Sequence, residues 1–506
     1  MSASWEALNK GTISALTGNR PGEALESAKK AEALAREEGD EKQLAVSLGN
    51  LCEVYQATGD FDSAEKAKLE SIELYRKDPS AGLSLADALD GLGLMYIFLE
   101  RFGEAQEALK EELAIRETEK DKDLEARTGV LQALAECSLG MGNTQEAEDY
   151  LEKVKRLIEK KAGADDVSLG PVLINLSSVY SKKGDFEKAG DTIRKAIKIY
   201  EVKLGPGHPA FADAMARLGD TYASRGAYGP AATLYEQAIA IFKDALDKND
   251  PEIARKQEKL AKLYLTQGEN DKAEPLLKEV IKSYKKNYGA ESAQTAQARN
   301  DLGEIYLAEE KLEEAEEYIK AALDTRVNIL DEDDPALAQS YNNMAVLLEN
   351  KGQLDQSALY HERALKIRKA RFGERHPAVT QSLENLAAVY QYQRRYAEAE
   401  DLLRESLSIW EEYAGDDYPV TAQTRFNLGT ILFLRSKYRE AWRTIDRSRE
   451  VMAAHMGEEN PNLALIYKAL ATIAKKLNMK EEEQKYSELF NKVNPGYETG
   501  NPGQTQ

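Results

Sequence analysis

A short turn recurs along this chain at a nearly constant interval, seen in QATGDF, SKKGDF, ASRGAY, LTQGEN and ENKGQL. Its glycines are Gly59, Gly184, Gly226, Gly268 and Gly352, and the same slot holds Gly18, Glu100, Gly142, Glu310, Arg394, Ser436 and Asn478 elsewhere. The intervals are 41, 41 and then 42 nine times. A period of this length marks a repeat architecture, in which each unit is too small to bury its own apolar face and must stack on the next. Twelve units of about 42 residues occupy residues 1–493, and residues 494–506 are left as a flexible polar tail. The several separate domains that 506 residues would otherwise suggest give way to a single array.

Three columns fix the register. Eight residues before the turn stand Leu51, Leu92, Leu134, Leu176, Leu218, Leu260, Leu302, Met344, Leu386, Leu428 and Leu470. The next slot is always small, from Cys52, Gly93 and Ala135 to Gly303, Gly429 and Ala471, so that two helices can approach closely. Tyrosine fills the position four before the turn in seven units (Tyr55, Tyr96, Tyr180, Tyr222, Tyr264, Tyr306 and Tyr390), and alanine dominates five after it, from Ala64 to Ala441. Leucine, small residue and tyrosine at i, i+1 and i+4 share one helical face, so each unit reads as helix, tight turn, helix.

These columns resemble the tetratricopeptide repeat, and segments such as LGPGHPAFADAMARLGDTY and FGERHPAVTQSLENLAAVY look like its kinesin light chain class. The resemblance implies an all-α, right-handed superhelical α-solenoid of twelve helix-turn-helix units whose first helices line a concave groove. Prolines at 209, 251, 335, 377, 419 and 461 fall where the first helical position tolerates the missing N–H. The last unit carries Glu483 where others have alanine, as a solvent-facing cap would. The chain opens directly in a repeat, so attachment to a motor is not implied.

Composition removes most chemistry. With 88 acidic and 68 basic side chains the net charge is −20, which opposes binding to nucleic acid or an anionic membrane surface. Two cysteines and four histidines give no disulfide framework, zinc set or histidine-based catalytic apparatus. Cys52 and Cys137 fall in core columns, His208 and His376 share a loop slot before proline, and His361 and His455 match no motif. No nucleophile elbow, phosphate loop or calcium loop is present, so no catalytic residue, cofactor or metal is expected. No secretory signal or membrane-length apolar run appears, and the expected address is cytoplasmic.

Binding is therefore sought in the groove. An amide ladder repeats at 42 residues: Gln339 with Asn343, Gln381 with Asn385, and Gln423 with Asn427. Amides both donate and accept, so such a row suits an extended peptide backbone, a use the family resemblance also implies. A basic set stands at Lys182, Arg217, Arg255, Lys259 and Lys262, and points to a partner of acidic character. Arg255 and Lys259 match two positions of the family's carboxylate clamp, but Arg217, Ile174 and Ser178 replace its other residues. Six amides contribute roughly 3–9 kcal/mol gross against an association cost of about 4–15 kcal/mol. Apolar anchors are thus required, and Phe98, Leu139, Leu265, Leu307, Tyr392, Phe433 and Leu434 are the candidates. The function expected is a non-enzymatic scaffold or adaptor binding protein segments. The alternatives are a peptide-responsive signalling regulator that changes shape on binding, and an assembly subunit of a larger complex.

Overall fold

The computed structural model describes residues 4–118 and 123–494, so the tail expected at 494–506 lies, but for Asn494, outside the described residues. Those residues form helices and no strand, in two compact bodies, residues 1–247 and 248–506. The first holds α1 (Trp5–Thr17), α2 (Pro21–Glu38), α3 (Glu41–Thr58), α4 (Phe61–Lys77), α5 (Gly82–Phe98), α6 (Phe102–Thr118), α7 (Leu124–Gly140), α8 (Thr144–Ala162), α9 (Leu169–Lys182), α10 (Phe186–Lys203), α11 (Pro209–Ser224) and α12 (Tyr228–Ala245). The second holds α13 (Pro251–Thr266), α14 (Asn270–Tyr288), α15 (Ala293–Ala308), α16 (Leu312–Ile329), α17 (Pro335–Asn350), α18 (Leu354–Phe372), α19 (Pro377–Tyr392), α20 (Tyr396–Tyr413), α21 (Pro419–Leu434), α22 (Tyr438–Met456), α23 (Ala464–Lys476) and α24 (Lys480–Val493). Each odd-numbered helix packs on the even-numbered one that follows it. Within a body, some odd-numbered helices also reach the next odd-numbered one, as α5 does α7 and α15 does α17, whereas no even-numbered pair meets to that extent. The odd layer is therefore the tighter, inner one, as in a stacked array of helical hairpins.

The recurring turn explains the hairpin. One residue in each unit adopts a left-handed conformation, with φ between 52° and 80°. The following N–H then reaches back to the carbonyl five residues earlier, as Asp60 does to Tyr55 at 2.9 Å and Lys311 to Tyr306 at 2.9 Å. This closes the helix end and reverses the chain. Glycine takes that conformation without cost, while Glu100, Glu310, Arg394, Ser436 and Asn478 adopt it against the Cβ penalty. The first unit departs from the sequence register. Its left-handed residue is Asn19 and not Gly18, so buried Thr12, Ala15 and Ala24 fill the slots that the spacing gave to their neighbours. Asparagine tolerates this backbone, and the glycine beside it misled the register.

Starts of the odd helices are fixed by the residue before the proline. His208 and His376 accept through Nδ1 from the backbone N–H two residues on, at 3.1 Å each, and Asp250 and Asp334 do the same with carboxylates. The loop histidines are thus helix caps.

The apolar columns form the core. Leu51, Leu134, Leu302 and Leu386 are at most 3% exposed, each contributing about 1.5–3 kcal/mol by its removal from water. A methyl group at Gly303 would lie 2.5 Å from Ile319 Cγ1, so the small slot sets how closely the hairpin's helices approach. Both cysteines are free and buried. One unit breaks the pattern: where its neighbours carry Ala315 with Ile319 and Ala399 with Leu403, α18 carries Ser357 with His361, all fully buried or nearly so. Ser357 Oγ and both His361 ring nitrogens have no hydrogen-bond partner among the described residues.

Candidate functional site

The proposed groove residues fall in both bodies. Lys182 ends α9 and Arg217 lies on α11, both exposed, with Arg217 3.5 Å from Asp213. Phe98, at the end of α5, is 71% exposed and lies tilted against Phe61, ring centroids 5.3 Å apart.

In the second body the cations on α13 are held by acids. Arg255 pairs with Glu252 at 2.6 Å and donates to the Tyr288 hydroxyl at 3.1 Å. Lys262 pairs with Glu258 at 2.6 Å and reaches toward Asp301 on α15 at 3.7 Å. Burial pushes the Asp301 carboxyl up to about 6, against the pull of Lys262. Lys259 is half-buried on the same helix.

Around α15 to α17 the amides turn inward. Glu304 Oε1 accepts from three of them: Asn300 at 3.0 Å, Gln339 at 3.1 Å and Asn343 at 2.7 Å. Behind them Arg326, 2% exposed, donates to Gln297 Oε1 at 2.6 Å, Ser340 Oγ at 2.7 Å and the Ala336 carbonyl at 2.8 Å. Gln297 in turn donates to Asp301 at 2.5 Å. Such a network is rigid, since every severed bond leaves a buried polar group unsatisfied.

From α19 onward the amides are less committed. Asn385 donates to Asn342 Oδ1 at 2.7 Å, Gln381 accepts from Arg368 at 3.2 Å, and Gln423 donates to Asn427 Oδ1 at 3.2 Å. Among the described residues, Gln381 Nε2 and Asn427 Nδ2 have no acceptor. On the helix that carries Asn427, a pocket of about 290 Å³ opens toward α23, lined by Phe426, Thr430 and Phe433 on one side and Leu465, Ala469 and Thr472 on the other. The i, i+4, i+7 spacing on both helices makes it two turns long. Leu465 is 67% exposed, Leu434 38% and Tyr392 61%. Sequence reasoning missed α23 as a wall of this pocket. The signal was Leu465 itself, a large apolar residue outside the repeat's core columns.

No helix among the described residues is long and apolar enough to cross a membrane. No cluster of metal-ligating side chains occurs among them.

The tetratricopeptide repeat family model matches residues 43–118, 126–201, 168–244, 252–326, 302–370 and 378–444, more than half of the chain. The search among curated proteins finds no match. Among solved structures, BtubC (BKLC) from P. vanneervenii is similar at 28% identity, over 46% of this chain and 92% of that one, with a TM-score of 0.40. The nearly identical TPR-like repeats attributed to a Podosopora anserina kinesin light chain are 22% identical over 40% and 96%, with a TM-score of 0.37. The apo form of RapI is 16% identical over 57% and 99%, with a TM-score of 0.44.

Proposed function

The chain belongs to the tetratricopeptide repeat family, and from that premise we propose that it is a non-enzymatic scaffold or adaptor that binds extended protein segments along the inner groove of its second body. The observation that carries this reading is the apolar pocket between α21 and α23, on the helix that also carries Asn427 with an N–H group left to donate. A segment lying across α19 and α21 places one apolar side chain between Phe433 and Leu465. Its carbonyls face Asn427 and Gln381, a mode that reads the backbone and one anchor. Affinity for such a short segment falls in the micromolar range, because the pocket is small and association itself is costly.

Acidic character in the partner is proposed on Lys182, since Arg217 already lies 3.5 Å from Asp213. Arg255 and Lys262 add little to it, since their charges are already answered by Glu252, Glu258 and Asp301. The cytoplasm is the proposed place of action.

A random peptide library displayed against the full chain tests the reading. Enriched peptides are expected to share an apolar residue and to lose binding to a Phe433→Ala, Asn427→Ala variant. Peptides that bind wild type and variant alike would show that the segment goes elsewhere.

A further inference from the structure

In the first body a pocket of about 390 Å³ opens between α3 and α5, with side chains of α4 as its floor. Its rim is apolar and open to solvent: Leu94 is 49% exposed and Phe98 71%, with Phe61 half-buried beside them. The floor carries a charge. Lys68 of α4 stands nine residues after the turn, where seven later units place leucine or isoleucine, Leu109, Ile193 and Ile445 among them. It is only 8% exposed, and it forms no hydrogen bond or ion pair among the described residues. Asp90 feels its charge without pairing with it. Gly91 makes room for the ammonium, since a methyl group there would lie 2.9 Å from Lys68 Nζ. That slot holds Asn50 in the preceding unit and Asn175 farther on. In this unit a lysine reaching from the helix behind takes the place of the amide, its stem buried and its head turned to the opening.

A buried cation without a counter-ion is costly, and an anion arriving from outside removes part of that cost. We propose that this pocket binds a small apolar monocarboxylate, a free acid whose carboxylate pairs with Lys68 Nζ and whose aromatic or branched aliphatic body lies against Leu94, Phe61 and Phe98. An apolar enclosure of this size with one placed charge has the make-up of a small-ligand site. Charge selects a single carboxylate. Lys68 is the one cation of the lining, and Glu53 at the rim repels a second negative group. Residues 1–150 hold 16 basic and 31 acidic side chains, a field that falls hardest on phosphates and acidic peptides. An extended peptide also lacks the row of amides that would hold its backbone, because the slot reads Gly91 and then Ala133 between Asn50 and Asn175. The free end of a neutral peptide shares the chemistry of the acid, and the two are separated by measurement. This site stands apart from the groove proposed in the second body and does not depend on it.

The test titrates the full chain with hydrocinnamate, with its neutral amide, and with an acetylated triglycyl-phenylalanine peptide bearing a free C-terminus, followed by saturation-transfer NMR. Hydrocinnamate is expected to bind with a Kd of about 0.1–1 mM, the amide about tenfold or more weakly, and the peptide no more tightly than the acid. Lys68→Met keeps the stem and removes the charge in a column that is apolar elsewhere. It is expected to weaken the acid about tenfold and to leave the amide as it was. Phe98→Ala, at an exposed position that folding does not need, is expected to weaken acid and amide alike. Phe433→Ala is expected to change neither, so failure at this pocket is distinguishable from failure of the peptide groove. Equal binding of acid and amide, an acid affinity indifferent to Lys68→Met or to Phe98→Ala, or no binding at all overturns the proposal. So does a peptide that binds more tightly than the acid, which would make the pocket a receptor for a chain terminus.

Discussion

The floor of the second body around Glu304 and the stretch from α19 to α23 are built from the same amides at the same repeat positions, yet they are bonded differently. At the first, three amide donors converge on one carboxylate oxygen, and Asn300 and Asn343 are buried. At the second, donors remain without acceptors beside an apolar pocket. The difference turns on one residue: α15 supplies Glu304, whereas the same place is Val346 on α17 and Ala388 on α19. A repeated side chain is therefore structural or ligand-facing according to what its neighbouring unit places against it, and not by its column alone.

Removing the carboxylate should produce the largest effect. Glu304→Ala leaves two buried amides without their acceptor and is expected to lower stability by about 3 kcal/mol, measured by urea denaturation, while peptide affinity holds. A stability loss below that of an ordinary surface change would mean that the two regions do not differ.

Between them lies α18, where the buried His361 has no hydrogen-bond partner among the described residues. Burial, reinforced by Arg368, holds its pKa down at about 4, against an ordinary value of 6.5. The folded state thus favours neutral imidazole and the unfolded chain binds the extra proton, so stability falls as pH drops through this window. Between pH 7 and pH 5 the loss is about 2 kcal/mol. His361→Leu is expected to remove that slope and to raise stability at pH 7 by about 1–2 kcal/mol. Denaturation curves at the two pH values decide, and an unchanged slope would place the acid sensitivity elsewhere.

Binding sharpens the contrast from the other side. Phe433→Ala with Asn427→Ala should weaken a selected peptide about thirtyfold, roughly 2 kcal/mol, whereas Asn343→Ala should cost about 1–2 kcal/mol of stability and leave affinity alone. Isothermal titration of both variants reads this directly, and matching affinity losses would merge the two regions into one site. The smallest effect belongs to the turns. Arg394→Gly, in the turn between α19 and α20, relieves a left-handed non-glycine backbone and should stabilise by about 0.5–1 kcal/mol. A destabilised variant would show that the Arg394 side chain contributes more than its backbone strain removes.

The helical hairpins were legible in the sequence because each rests on local signals: the turn column, the capping residue before proline, and leucine beside a small residue. The first unit escaped by one position, since Gly18 stands next to the asparagine that makes the turn. The partners of the amides escaped for a geometric reason. Neighbouring inner helices meet at offsets other than the period: 35 and 39 residues for Gln339 and Asn343 with Glu304, 43 for Asn385 with Asn342. Columns drawn every 42 residues cannot register those contacts. His361 was visible as a residue that fits no motif, but the lack of a hydrogen-bond partner for its ring depends on packing that its sequence position does not display.

The left-handed turn residue also makes the chain's length adjustable in fixed steps. Within each body the main packing joins helices no more than two apart in order, so no distant segment must be matched when one hairpin is removed. Deleting residues 353–394 joins Gly352 to Arg395, one turn residue's successor exchanged for another's. The shortened protein loses α18 and α19 together with the buried histidine, and α17 gains α20 as its hairpin partner. Gene duplication can run the same operation backwards, so a family of such chains can vary in reach while each keeps its end units.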